Sequence, residues 1–372
     1  MMEKTETSVH GGASEIRLRD EIKTRDVHGL YAMHLFVQLL IALSAYLHPR
    51  VGTPGFLSIL LSLPYLFFLG LWAKNIRRRV HIKSMMKDSG RPFVRLIHTL
   101  VFLYCLWDAQ YLFYSLCAVI KETMPGESVA GFSLMIAVFL AVDLRLQKSY
   151  ALLRMFSAFK WVIAFLMILC AIGAYSHGKA AHFFPLLGHG VPSILRGSLW
   201  CWSAVSGISL SVFAESSREQ RSKPHISLYI IALASAFILS LISVYLMPIS
   251  AMELPRTLGW RLMALTNMTP SIPAWSMQVI ALLMLFLLAL HHRMDSAARM
   301  LKGFAGLKNA GFVFYLLLSL TLCPIVLFGD EKAADALFRL FPFRALLSPL
   351  LLFFISFGGK KYAICPMKEA AS

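Results

Sequence analysis

Residues 226–247 read ISLYIIALASAFILSLISVYLM, a run without one charged side chain. A helix crossing the hydrocarbon core of a bilayer needs roughly 20 apolar residues, and a helix apolar on every face belongs in lipid or in a deep core. Runs of this kind recur along the chain at about 28–48, 54–73, 96–120, 128–147, 151–175, 194–214, 226–247, 273–290, 309–328 and 336–358, numbered here spans 1 to 10. Backbone amides in hydrocarbon must pair within their own segment, so each run is expected to be a helix. A membrane barrel would need short alternating strands, and no such alternation is present. The composition agrees: 58% hydrophobic and 15% charged side chains, with a mean hydropathy of +0.67, against about 25% charge in a soluble domain. The expected fold is an all-α polytopic membrane protein of about ten transmembrane helices.

Orientation follows from the basic residues, which accumulate on the cytoplasmic side. Of the 36 Lys and Arg, 26 lie in the tail before span 1, in alternate connections after it, and in the final tail, counting Arg293 among them. The opposite side holds 9, including Arg339 and Arg344, and Lys160 lies within a span. Both termini are therefore expected in the cytosol, with an even number of spans between them. The basic loops would meet anionic lipid head groups, which accounts for the net charge of +17 without nucleic acid. Residues 1–26 are expected to form a polar cytoplasmic tail without a cleavable signal, 27–358 the membrane domain, and 359–372 a second cytoplasmic tail. Ten spans divide into two sets of five, about 27–175 and 194–358, and an odd repeat unit must enter the membrane from opposite sides. An inverted-repeat, transporter-like bundle is the expected architecture.

In such bundles ligands bind near the midplane, where a helix is interrupted. Span 6 reads Leu199-Trp200-Cys201-Trp202-Ser203-Ala204-Val205-Ser206-Gly207-Ile208-Ser209-Leu210-Ser211, with four serines and a glycine in the middle of an apolar helix. Gly weakens a helix by about 1 kcal/mol relative to Ala, and Ser offers the backbone competing partners, so unwinding at Ser206-Gly207 is one reading. The other is that Ser203, Gly207 and Ser211, four apart, form a small-residue packing face. Span 1 carries Gln38 in mid-run, which must find a partner, but no glycine between Gly29 and Gly52. Asp108 is the clearest ionisable residue inside a span. A carboxylate there costs about 2.5–3.5 kcal/mol on insertion scales, so it should face the bundle interior and pair; it is either a ligand or coupling site or a structural hydrogen-bonding group. Asp143, Lys160 and Glu215 lie near span ends and are read as solvated. His177, His182 and His189, and His291 and His292, are read as solvated loop residues, because their spacings match no metal site. The six cysteines show no ligand spacing, and five lie in apolar runs, where a thiol behaves as a small hydrophobe. No metal, cofactor or disulfide is expected. Paired catalytic carboxylates, phosphate loops and nucleophile motifs are missing, so the chain is not expected to be an enzyme.

Several segments together resemble the permease-type B subunit of bacterial spore germinant receptors, within the amino acid–polyamine–organocation transporter superfamily. Gly190-Val191-Pro192-Ser193-Ile194-Leu195-Arg196-Gly197-Ser198-Leu199 is similar to that family's Pro-x-Leu-Lys-Gly opening of span 6, and Arg154 to its arginine after span 4. Leu47-His48-Pro49-Arg50 resembles the Leu-Pro-Arg that closes span 1, and the connection from Pro255 to Trp275 the loop before span 8. Departures are Leu39-Leu40-Ile41-Ala42 where the family has glycines, Gly207-Ile208-Ser209 where it often has Gly-x-Glu, and Gln147-Lys148 for its Lys-Gly. The resemblance implies a membrane-embedded nutrient sensor of the spore inner membrane, working with membrane-anchored A and lipoprotein C subunits. It implies a small ligand, an amino acid or similar nutrient, held by the free amides of span 6 near Ser206 and Gly207. The expected lining is Gln38, Asp108, Trp202, Ser203, Ser206, Gly207, Ser209 and Gln278. The alternative is a secondary transporter with Asp108 as its H⁺- or Na⁺-coupling group. Reporter domains fused to either terminus are expected to read cytosolic; one tail outside would overturn the even span count.

Overall fold

The computed structural model describes residues 24–88, 90–123, 178–213, 226–247, 274–305, 313, 336 and 339–359. Spans 1, 2, 3, 6, 7, 8 and 10 fall on these residues, and all are helical. Spans 4, 5 and most of 9 lie outside them, as do Asp143, Lys160, His177 and Glu215, so the pairing of the two halves is not described either.

Five of the described helices are long and apolar enough to cross a membrane: 27–51, 55–79, 92–117, 226–246 and 341–358. Their burial separates centre from rim. In the most apolar window of span 1, 89% of residues are buried, against 33% in span 2 and 39% in spans 7 and 10. Span 1 is thus the axis of the bundle. Spans 2, 7 and 10 turn one face outward, bearing Phe67, Phe68 and Leu71, Ile231 and Ile238, and Leu346, Leu350, Phe353 and Phe357. Stripes of exposed aromatic and aliphatic groups on several helices mark a surface meant for lipid. The chain is an integral membrane protein.

Two helices change their hydrogen-bonding ladder part-way. Span 1 is α-helical over Thr24–Ala42 and widens to a π-helix over Leu43–Val51. Pro49 lies in the widened turn and has no N–H to donate, and Gly52, at φ +79°, closes it by donating from N to Leu47 O at 2.9 Å. Span 6 starts at Gly190, with φ +93°, and places Pro192 in its first turn, where a missing N–H is harmless. It is α-helical over Val191–Ser206 and tightens to a 3₁₀ helix over Gly207–Phe213. Ser206 Oγ donates to Ser203 O at 2.6 Å, and Ser209 Oγ lies 2.9 Å from Ser206 O. These hydroxyls compete for carbonyls three residues back, which is how serine loosens an α ladder.

Two sequence expectations are corrected here. Span 8 does not stop near residue 290; its helix runs over Ala274–Ala305, and His291, His292 and Arg293 are buried in it rather than solvated in a loop. Arg344, counted with the basic residues of the outer side, opens the helix Arg344–Gly358 and is fully buried. Moving these two arginines removes one residue from each side of the charge tally, so the orientation argument stands unaltered.

Near its start, span 6 passes close to the ends of spans 1 and 2. A Cβ on Gly197 would stand 2.5 Å from Ser58 Oγ, 2.8 Å from Val51 Cγ2 and 2.9 Å from Leu47 Cδ2. Ser58 Oγ donates to Ile194 O at 2.9 Å across the same crossing. Gly197→Val is therefore expected to lower stability by about 1–3 kcal/mol through overpacking. Ser198→Ala, which loses only a local bond to Leu195 O, should stay within about 0.5 kcal/mol. Melting in detergent distinguishes them.

Candidate functional site

Asp108 sits near the middle of span 3, whose helix covers Pro92–Thr123, and its side chain is fully buried. Four donors converge on its carboxylate. Oδ1 accepts from Gln38 Nε2 at 2.7 Å and from Arg344 Nη2 at 2.8 Å. Oδ2 lies 2.7 Å from His34 Nε2 and 2.6 Å from Arg293 Nε. Arg293 Nε is also 2.9 Å from His34 Nε2, but its single hydrogen serves one acceptor. With His34 donating through Nε2 to the carboxylate, that hydrogen goes to Asp108 as well. A carboxylate offers about four lone-pair positions, and all four are taken.

The partners come from distant parts of the chain: His34 and Gln38 from span 1, Arg293 from span 8 and Arg344 from the start of span 10. Arg293 and Arg344 are both 0% exposed. Their guanidinium planes are held by rings, Arg293 5.7 Å from the Tyr31 centroid, Arg344 5.0 Å from Tyr104 and 4.9 Å from Phe341. Such stacking suits a weakly hydrated planar cation removed from water. One carboxylate against two guanidiniums, with His34 neutral, leaves the cluster one positive charge in excess.

The cluster continues into the ladder change of span 6. Arg344 Nη2 donates to Tyr104 Oη at 3.1 Å, and Tyr104 Oη lies 2.5 Å from Ser206 Oγ. Because Ser206 already donates to Ser203 O, Tyr104 is the donor in that pair. Ser348 Oγ donates to Ser206 O at 2.8 Å and lies 3.1 Å from Ser209 Oγ, and Ser203 Oγ lies 2.9 Å from Pro342 O. These serines fasten span 10 to span 6. Gly207 serves close approach: a Cβ there would meet Arg293 Nη2 at 2.8 Å. Nη1 and Nη2 of Arg293, Nε of Arg344 and Nδ1 of His34 are buried without a hydrogen-bond partner.

On the side toward the end of span 1, an aromatic layer closes over the cluster. Tyr46 stacks on Trp200 at 4.6 Å, Trp200 meets Phe341 at 5.0 Å, and Phe341 stacks on Tyr111 at 4.2 Å. Toward the other end, His28 Nδ1 lies 2.8 Å from Tyr229 Oη, and Arg77 Nη1 donates to His28 Nε2 at 3.0 Å.

Of the residues expected to line a site, Gln38, Asp108, Ser206 and Gly207 come together directly. Ser203 and Ser209 join through the pins to span 10. Trp202 does not join: it is part-exposed, stacks on Tyr65 at 5.2 Å and donates to Leu61 O at 3.2 Å, facing span 2. The side chain of Gln278 lies outside the described residues. The sequence reading missed His34, Tyr104, Arg293, Arg344 and Ser348. The need of a buried Asp for a cationic partner is the signal that points to the two arginines. Among the described residues, no three His, Cys, Asp or Glu side chains are grouped to hold a metal ion.

The chain's overall fold is similar to that of a solved membrane transporter. Crystal structures of the Eremococcus coleocola manganese transporter superpose on it. One mutant superposes with a TM-score of 0.61 at 14% identity, covering 95% of this chain and 80% of that one. The transporter in complex with an aromatic bis-isothiourea-substituted compound gives 0.54 at 14% identity, and another mutant 0.52 at 13% identity, covering 86% and 77%. No protein-family model and no curated protein sequence matches the chain.

Removing the charge of Asp108 strands two buried guanidiniums. Asp108→Asn is expected to cost about 3–5 kcal/mol, the range for breaking one side of a buried pair. Trp202→Phe, at the rim, should cost much less. Thermal melts in detergent give the ranking, and equal losses would contradict the placement.

Proposed function

We propose that this chain is a membrane-embedded solute sensor on a transporter fold, of the kind that the B subunits of spore germinant receptors represent. The solute, a small carboxylate-bearing nutrient, binds between the Asp108 cluster and the ladder change of span 6. The chain sits in a bacterial cytoplasmic membrane, the spore inner membrane by resemblance, with both tails in the cytosol. It passes its signal to A- and C-type partner subunits and catalyses no reaction.

The observation that carries this reading is the saturation of Asp108. A coupling carboxylate in a secondary transporter has to take up and release a proton or sodium ion in each cycle. The carboxylate of Asp108 has every lone-pair position filled by Gln38, His34, Arg293 and Arg344, two of them cations. Such a group works as a clasp between spans 1, 3, 8 and 10, not as a carrier of ions. A divalent cation such as manganese, after which the neighbouring transporter is named, would meet a cluster already carrying excess positive charge. A solute that binds one setting of the clasp better than another shifts the balance between two arrangements of the bundle, which is what a sensor requires.

The second reading, a secondary transporter, is favoured by the fold of the neighbours. Reconstituted vesicles under an imposed H⁺ or Na⁺ gradient separate the two, with labelled L-alanine and propionate as probes. No gradient-driven accumulation of either is expected. Accumulation that is lost in Asp108→Asn would replace the sensor by the transporter. Genes for A- and C-type subunits beside this one are expected as well.

A further inference from the structure

We infer that the open edge of Arg293 is the seat of the ligand, and that the ligand is a small organic carboxylate without an ammonium group. The inference deepens the reading of this region as the solute site, and rests on it.

Arg293 spends only Nε on Asp108. Its two terminal nitrogens, Nη1 and Nη2, have no partner although the side chain is fully buried. An unsatisfied charged donor is expensive in an apolar interior, and two of them side by side present the two-pronged edge that binds a carboxylate with paired hydrogen bonds. That edge lies against Gly207. Nη2 stands 2.8 Å from the position a Cβ would take, and His34 Cδ2 3.7 Å from it. With no side chain on Gly207, the guanidinium edge packs directly against the start of the 3₁₀ segment Gly207–Phe213. A carboxylate there would supply the acceptors that Arg293 lacks and neutralise the one charge in excess.

The same geometry disfavours an amino acid. A zwitterion brings an ammonium group that needs an anionic or multiply accepting partner when taken out of water. Among the described residues Asp108 is the one fully buried carboxylate, and its lone pairs are spent on four donors. Arg293 and Arg344 on either side would repel the ammonium further. The fitting ligand class is therefore the simple 2-carbon to 4-carbon acid, the 2-hydroxy acid or the 2-oxo acid.

The test is thermal melting of the full-length protein in detergent, titrated with propionate, lactate, pyruvate, L-alanine and L-alaninol, against potassium chloride at matched ionic strength. At least one of the three simple acids is expected to raise Tm, with a half-saturating concentration at least about tenfold below that of L-alanine. L-alaninol and chloride should leave Tm unchanged. Gly207→Ala, whose Cβ would stand 2.8 Å from Nη2 and push the guanidinium edge aside, and Arg293→Gln should each abolish the response. If Arg293→Gln does not fold, Gly207→Ala decides alone. L-alanine binding as tightly as the simple acids would overturn the ligand class and leave the solute site standing. An undiminished response in Gly207→Ala would overturn the seat in the same way. An equal response to chloride would reduce the site to a generic anion hole. No response to any of the organic probes would overturn both the seat and the solute-site reading.

Discussion

A carboxylate placed in the middle of a membrane must be compensated within the protein, because no bulk water reaches it. In this chain compensation takes the form of two guanidiniums, an imidazole and an amide gathered around Asp108, contributed by spans 1, 8 and 10. Each group would cost several kcal/mol if left alone in the interior, and each becomes tolerable only when all are present. The cluster thereby ties together helices that are far apart in sequence. Much of the remaining architecture is what that convergence demands.

Span 1 occupies the axis because His34 and Gln38 must both reach span 3. Gly207 is small because Arg293 needs its space. The serines of span 6 find partners across the interface, through Ser348 and Pro342, and their hydroxyls help to tighten the helix where the cluster abuts it. Stacking of Tyr46, Trp200, Phe341 and Tyr111 closes one end, and the ring of Phe341 also supports the Arg344 guanidinium. Chemistry and packing are not separable here: one excess charge and one open guanidinium edge remain after every structural bond has been made.

Much of this was legible in the residues. Uninterrupted apolar runs announced the membrane helices, since their length and lack of charge admit no other fold in lipid. Asp108 and Gly207 stood out because each is costly where it lies. The arginines did not stand out, and the reason is physical. A basic residue at the margin of an apolar run has the same local signature whether it ends the helix in water or is drawn inside by a buried acid. Arg293 follows His291 and His292, a cluster that reads as a span end, yet its helix continues to Ala305. Arg344 follows the short 3₁₀ helix Phe341–Phe343 and lies within the run read as span 10, yet it was counted with the basic residues of the outer side. Trp202 erred in the other direction: an aromatic ring in mid-span suits a pocket or a neighbouring helix equally, and Tyr65 provides the helix contact. The ladder change in span 1 had its mark in Pro49, outside the glycine pattern by which such breaks are usually recognised.

The central claim is that Asp108 and Arg344 form one energetic unit with their neighbours inside the bundle. A double-mutant cycle over Asp108→Asn and Arg344→Gln, read by equilibrium unfolding in detergent micelles, measures it directly. The account requires a coupling energy of about 2–3 kcal/mol, at the upper end for residues in one ion-pair network. Losses that simply add, to within about 0.5 kcal/mol, would show that the two side chains do not meet and would contradict it.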